Sequence, residues 1–195
     1  TYSETGTLHN DYRPEKLAGV TRALFAGDSI CAQAYLTDNV KKLHQKPDFE
    51  YWTSGVYGYS THQELNYFER FTRRIKPDIV ILEFCLNDWD GTPVILQDQD
   101  SHTILANLYV GESHLNYWLF KHSTLYRVWL SLLASATDRA SLAGDVARGL
   151  AKFKEYGQAD GFRLRVVVYP ELDRLANWPR KFLRQREDIK AILTS

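Results

Sequence analysis

The sequence predicts an α/β fold with three layers, α/β/α, around a central parallel sheet. Three short apolar segments, two of them rich in β-branched residues, are typical of buried strands. They run from Arg22 to Ala26, from Asp78 to Cys85 and from Leu164 to Tyr169. The segments between them repeat apolar residues at helical spacing, and strands that alternate with helices favour parallel pairing with right-handed crossovers.

Composition limits the classes of function. The chain has 195 residues, in which 24 Lys and Arg balance 24 Asp and Glu. The length suits a single domain over 1–195, and the zero net charge argues against a nucleic-acid or anionic-membrane partner. No segment is long and apolar enough to cross a bilayer. Cys31 and Cys85 form neither a disulfide framework nor a zinc signature, so we expect two buried free thiols.

The first half of the chain predicts a strand, a helix, a second strand and a second helix. After the strand from Arg22 to Ala26, the segment from Ser29 to Gln45 has a helical pattern, weakened by a break at Thr37 to Asn39. A second strand is expected from Phe49 to Trp52. The sequence Thr61-His62-Gln63-Glu64 is typical of a capping box and predicts the start of the next helix, which Pro77 ends.

The second half predicts an insertion and further helices. The helical and strand patterns lapse over residues 90–113, which we interpret as an inserted loop at the edge of the sheet that would hold an active site. An aromatic helix from Leu115 to Ala134 is more typical of a core than of an acyl- or glycan-contact surface. A more polar helix from Thr137 to Tyr156 follows, and a helix from Pro179 to Leu193 ends the sequence.

Three polar turns follow predicted strands and carry the candidate site. They are Gly27-Asp28-Ser29, the turn that contains Gly58, and Cys85-Leu86-Asn87-Asp88. Open α/β sheets bind their ligands at the carboxyl ends of strands, so these turns would share one edge. A serine at a helix start there exposes its Oγ and directs its N–H towards a developing anion. Ser29 could instead be a simple helix cap, and Asn87 could satisfy only its own turn.

Together the three turns resemble those of the SGNH (GDSL-like) hydrolase superfamily, over roughly residues 20 to 90. The resemblance implies that Ser29 is the nucleophile. It also implies an oxyanion hole formed by the N–H groups of Ser29 and Gly58 and by the side-chain amide of Asn87. Cys85 stands where the family has glycine in the third motif, and we expect Asp88 to brace that turn. No metal or organic cofactor is implied.

One family motif is missing. The family takes its general base and orienting carboxylate from an Asp-x-x-His near the C-terminus, and no such sequence occurs here. We therefore expect the domain to be incomplete at its C-terminus, with an empty notch beside Ser29. His62 is the most interesting substitute, although an exposed helix-start histidine is the simpler interpretation. The remaining histidines are assigned no catalytic role: His9, His44, His102, His114 and His122.

The sequence thus predicts a serine hydrolase of acyl esters. A carbohydrate O-acetylesterase or acyltransferase, a lipase and a thioesterase all remain open as the specific activity. The alternative is a non-catalytic SGNH-like domain that binds a glycan or a partner protein. A Rossmann-type nucleotide binder is disfavoured, because no Gly-x-Gly-x-x-Gly follows the first strand. Oligomeric state and compartment, whether cytoplasmic, periplasmic or secreted, stay undetermined.

Overall fold

The computed structural model describes residues 2–8, 13–85, 88, 94–97, 103–106, 113–169 and 180–194. The chain divides into two compact units. One comprises Thr1–Asp88 with Asp145–Ser195, and the other comprises Trp89–Gly144. In the part of the chain that the structure describes, no helix combines the length and the apolar character needed to cross a membrane.

The first unit is built on a four-stranded parallel sheet in the order β2-β1-β3-β6. The strands are β1 (Thr21–Gly27), β2 (Phe49–Gly55), β3 (Ile79–Cys85) and β6 (Arg163–Tyr169). The registers align the carboxyl ends, since Gly27 of β1 lies opposite both Gly55 of β2 and Glu83 of β3. The turns after β1, β2 and β3 therefore leave from one edge of the sheet.

Helices lie on both faces of this sheet. On one face, Leu36 and Val40 of α2 (Tyr35–His44) pack against a buried cluster that includes Ala23 and Phe25 of β1. On the other face, α3 (Thr61–Tyr67) contacts β1. It continues into a π-helical turn, Phe68–Thr72, and a 3₁₀ turn, Arg73–Ile75. The predicted fold class, a three-layer α/β/α arrangement around a parallel sheet, is confirmed.

A buried arginine anchors the amino-terminal end of the sheet. Arg22 of β1 is fully buried; its Nε donates to Glu50 Oε2 at 2.5 Å, and its guanidinium lies over the Trp52 ring. The remaining guanidinium N–H groups donate to backbone carbonyls of four residues: Arg13, Pro14, Glu15 and Ile75. A buried charge is tolerated because every side of it is hydrogen-bonded.

The helix that follows β1 is shorter than its pattern predicts. The chain forms α1 (Ser29–Ala32) and then α2 (Tyr35–His44), with Ala34 between them at a φ of 58°. The predicted weak point at Thr37 to Asn39 is therefore wrong, because those residues lie inside α2. The break follows from packing: a Cβ on Gly55 would lie 2.2 Å from the backbone nitrogen of Ala32, so α1 is held directly against the end of β2.

The second unit contains a short antiparallel hairpin and helices. Its strands are β4 (Val94–Gln97) and β5 (Thr103–Ala106), which fall within the predicted insertion. The helix α4 (His114–His122) precedes α5 (Thr124–Asp160), which has residues in both units. The predicted break between two helices near residue 135 is wrong. The break between α4 and α5 instead falls at Ser123, whose Oγ accepts the Tyr126 N–H at 3.2 Å and so caps the start of α5. The last described helix is α6 (Arg180–Thr194).

Candidate active site

Ser29 lies at the turn after the central strand β1. Asp28 caps α1, with its Oδ1 accepting the Ile30 N–H at 2.9 Å, and Ser29 is the first residue of that helix. Asp28 and Cys31 on either side are buried, whereas Ser29 is only half-buried. Ser29 is therefore a polar residue of this turn that solvent partly reaches.

The turn after β2 is tied to the turn after β1. The Val56 N–H donates to the Gly27 carbonyl at 3.0 Å, which continues the pairing of the two strands beyond their ends. Gly58 follows in this turn with a φ of +75°, a conformation that favours glycine. A Cβ at Gly58 would meet nothing within 4 Å, so backbone conformation rather than space accounts for the glycine.

The third predicted contributor, Asn87, lies outside the described residues. Its neighbour Asp88 is described and buried, and Asp88 Oδ2 accepts a 2.8 Å hydrogen bond from Thr61 Oγ1 of α3. Ser29, Gly58 and Asp88 thus follow three adjacent strands at the same sheet edge. The roles assigned to Ser29, Gly58 and Asn87 stay predictions.

Buried carboxyls near this edge are a feature that sequence reasoning missed. Four acidic side chains are at most 4% exposed: Asp28, Glu64, Glu83 and Asp88. The sequence holds a weak signal for two of them. Glu83 interrupts an otherwise apolar strand, and Glu64 follows the spacing of the buried residues of α3.

The capping box that the sequence predicts with Glu64 is wrong by one residue. The box is formed by Ser60 and Gln63, with the Ser60 N–H donating to Gln63 Oε1 at 3.2 Å. Thr61 and Glu64 instead point into the protein and are buried. A capping pattern in the sequence alone does not distinguish the two frames, since both have the required residue types.

Burial changes the acid–base properties of these carboxyls. Burial raises the pKa of Glu64 well above its usual range. The same effect raises the pKa of Asp88 to about 8, with the Thr61 hydrogen bond opposing the rise and Asp28 adding to it. Removing a carboxylate from water disfavours its charged form, and like charges nearby add to that cost. Burial at this edge therefore favours the protonated forms of Glu64 and Asp88.

A second polar group lies around Glu83. Its Oε2 accepts a 3.0 Å hydrogen bond from the Tyr169 hydroxyl, and burial raises the pKa of Glu83 while bonds from Tyr169 and Cys31 lower it. Burial, and then the nearby Glu83, raise the pKa of the Cys31 thiol well above its usual value. Cys31 and Cys85 are both buried and free, as predicted. A buried neutral thiol is a poor nucleophile, so Cys31 is not a candidate nucleophile.

Three of the described histidines form polar contacts with residues other than Ser29. His62 is exposed on α3 with its Nε2 3.3 Å from Asn66 Nδ2, and His44 Nδ1 lies 2.6 Å from the Tyr51 hydroxyl. His122 bonds to the Trp118 carbonyl within the second unit. His9 and His102 lie outside the described residues. Among the described residues, no group of three or more His, Cys, Asp and Glu could hold a metal ion.

An apolar groove of about 470 Å³ is distinct from this site. It is lined by α2 and by the first halves of the strands, including Leu43, Phe49 and Ile79. The candidate site lies at the opposite, carboxyl-terminal ends of the same strands.

Comparisons with known proteins identify the fold. The sequence matches no protein-family model, and no curated protein matches it either. The structure aligns with that of an acetyl xylan esterase, AlAXEase, with a TM-score of 0.50 and 13% identity over 88% of this chain and 71% of the esterase. A GDSL-like lipase from Bacteroides thetaiotaomicron VPI-5482 aligns with a TM-score of 0.31 and 14% identity, over 75% of this chain and 68% of the lipase.

Identities this low show the fold alone. The chain therefore shares the α/β fold of the acetyl xylan esterase, in agreement with the predicted fold class.

Proposed function

We propose that the protein is a serine ester hydrolase in which Ser29 is the nucleophile. The observation that carries the proposal is the position of Ser29, half-buried at the first residue of α1 in the turn after the central strand, beside the buried Asp28, in an α/β fold shared with an esterase. Carboxyl ends of strands are where α/β folds bind and transform their ligands.

The reaction proceeds by acyl transfer through the enzyme. Ser29 Oγ attacks the ester carbonyl carbon and loses its proton to a base, the alcohol leaves, and water then releases the acid from the acyl-enzyme. The carbonyl oxygen carries negative charge during both steps. The N–H groups of Ser29 and Gly58 and the Asn87 amide would stabilise that charge, because donors fixed before the reaction need no reorganisation. The base is assigned to none of the described histidines.

The proposed substrate is an acyl ester carried by a carbohydrate. Tyr57, beside Gly58, is 66% exposed, and Tyr2, Tyr59 and Tyr67 form a cluster of edge-to-face rings with centroids 5.9 Å apart. The Tyr2 hydroxyl also donates to the Gly55 carbonyl, which brings this cluster to the candidate edge. Aromatic rings with a polar tip suit a partner that is apolar on one face and hydroxylated at its rim, as a sugar is. The acetyl xylan esterase in the structural comparison makes acetylated xylan the first polysaccharide to assay.

Labelling with a fluorophosphonate probe tests the nucleophile. Ser29 Oγ should attack the phosphorus and displace fluoride, so the protein should be labelled and Ser29→Ala should not. Ser113→Ala is the matched control, because Ser113 also lies at a helix start, where its Oγ accepts the Asn116 N–H at 3.1 Å, but in the other unit. Labelling that persists in Ser29→Ala would refute the assignment. Absence of labelling in the wild type would favour the non-catalytic alternative.

A further inference from the structure

We propose that Glu64 is a positioning residue for the candidate active site. Its carboxyl stays protonated and donates a hydrogen bond to Asp88, which holds the turn that carries Asn87 against α3. The inference rests on the proposed function, since Asn87 is the oxyanion donor assigned there.

Helix geometry places Glu64 on the side of α3 that faces Asp88. Thr61 and Glu64 are three residues apart, so their side chains lie on the same helix face. Thr61 is fully buried and donates to Asp88 Oδ2 at 2.8 Å, and Glu64 is 3% exposed. The carboxyl of Asp88 therefore already contacts the face from which Glu64 projects.

Unpaired oxygens show where a proton is needed. Within the described residues, both carboxyl oxygens of Glu64 and Oδ1 of Asp88 are buried without a hydrogen-bond partner. If both carboxyls were ionised, these three oxygens would lose their hydration without a compensating hydrogen bond. A single proton retained on Glu64 and donated to Asp88 Oδ1 gives both groups a partner, as in other closely paired carboxyls.

The groups around Glu64 oppose its ionisation. Those that act on it are the carboxyls of Asp88 after β3, Asp28 before α1 and Glu83 on β3. Glu64 in turn raises the pKa of the Cys31 thiol on α1. Among the described residues, Arg22 is the only buried basic side chain, and its guanidinium is bound to Glu50 and to backbone carbonyls near the start of β1. Burial raises the pKa of Glu64 and of Asp88 accordingly.

Carboxyl ¹³C NMR of the whole protein tests the shared proton without any substrate. We expect Glu64 and Asp88 to titrate as a coupled pair, with one carboxyl still protonated at pH 7. Glu64→Gln should remove that proton and lower the pKa of Asp88. The inference is wrong if both carbon signals have titration midpoints below about pH 5, as unperturbed carboxyls do.

Kinetics test the positioning role. Glu64→Leu, which removes the donor, should lower kcat for p-nitrophenyl acetate by about tenfold with KM within about twofold, the pattern expected when transition-state stabilisation is lost. Glu64→Gln keeps an N–H donor that does not titrate. It should restore most of the lost kcat. We expect kcat of the wild type to fall as the pH rises and the shared proton is lost, and Glu64→Gln should not show this fall. Glu155→Leu, at an exposed glutamate of α5, is the control and should change neither parameter.

The outcomes separate the two proposals. Equal kcat values and pH profiles in Glu64→Leu, Glu64→Gln and the wild type would show that Glu64 positions nothing. If Glu64→Leu fails to fold, the pH profile of Glu64→Gln still decides the role. Absence of Ser29-dependent hydrolysis in the wild type would overturn the proposed function, whereas the NMR titration decides the shared proton independently.

Discussion

Thr61 Oγ1 donates a 2.8 Å hydrogen bond to Asp88 Oδ2 and so joins α3 to the turn after β3. Both side chains are buried. This contact links the candidate oxyanion turn to the rest of the sheet edge, because Asp88 directly follows Asn87 in the chain.

Thr61→Val should therefore destabilise the protein. The substitution keeps the shape of the side chain but leaves Asp88 Oδ2 without its donor, and an unsatisfied buried acceptor costs about 1–3 kcal/mol. Urea unfolding at pH 7 measures the change. Thr124→Val, at an exposed threonine of α5, should lie within about 0.5 kcal/mol of the wild type. A Thr61→Val protein as stable as the control would show that the bond contributes nothing.

Stability should fall as the pH rises from about 4 to about 8. The folded-state pKa is raised for Glu64, Glu83 and Asp88, to about 8 in the case of Asp88. Unfolded carboxyls titrate near pH 4, so between these values the folded state binds more protons than the unfolded state does. The stabilisation is complete below about pH 4 and is lost as the pH passes the folded-state pKa values.

Urea unfolding at pH 5, 6.5 and 8 measures this dependence. Glu64→Gln should flatten it, because the amide does not titrate. Asp160→Asn is the control, since Asp160 is at the surface and its pKa is lowered by Arg73. A free energy of unfolding that rises steadily from pH 5 to pH 8 would contradict the burial of these carboxyls.

Substitutions at two glycines distinguish an effect of backbone strain on stability from an effect on catalysis. Gly58 and Gly19 both have positive φ, +75° and +82°, and a Cβ at either would meet no atom within 4 Å. Alanine at each position should therefore cost a similar amount, about 1–2 kcal/mol of backbone strain. Only Gly58→Ala should also reduce kcat, because the strained turn moves the proposed oxyanion N–H. Equal kcat values in the two variants would remove Gly58 from the site.

Asn87→Ala should lower kcat for p-nitrophenyl acetate by about 10²–10³, the usual loss for one oxyanion donor. The fold should persist, as judged by circular dichroism and urea unfolding. Asn66→Ala, on α3 beside the exposed His62, is the control and should retain activity. A loss within about threefold would mean that Asn87 only shapes its turn.

The sequence was sufficient to predict the sheet because buried parallel strands leave continuous apolar segments. The strands β1, β3 and β6 lie within one residue of their predicted starts and ends. The predicted end of the second strand at Trp52 was too early. It extends to Gly55 because Thr53 and Ser54, although polar, are buried by pairing and packing that composition does not reveal.

The site was only partly predictable, for a physical reason. Glycine and serine at strand ends mark turns in the sequence itself, so the positions of Ser29 and Gly58 followed from the motif. Glu64 and Asp88 become notable only when tertiary packing removes them from water. A glutamate in the first turn of a helix is ordinary in sequence, and its burial depends on which strand the helix covers.

A crystal structure with a phosphonate bound to Ser29 tests the central claim most directly. The phosphonyl oxygen stands in for the oxyanion of the reacting ester. We predict that this oxygen lies about 3 Å from the N–H of Ser29, the N–H of Gly58 and the side-chain amide of Asn87. An oxygen that points to solvent, with Gly58 remote or the Asn87 amide turned away, would contradict the proposed oxyanion hole.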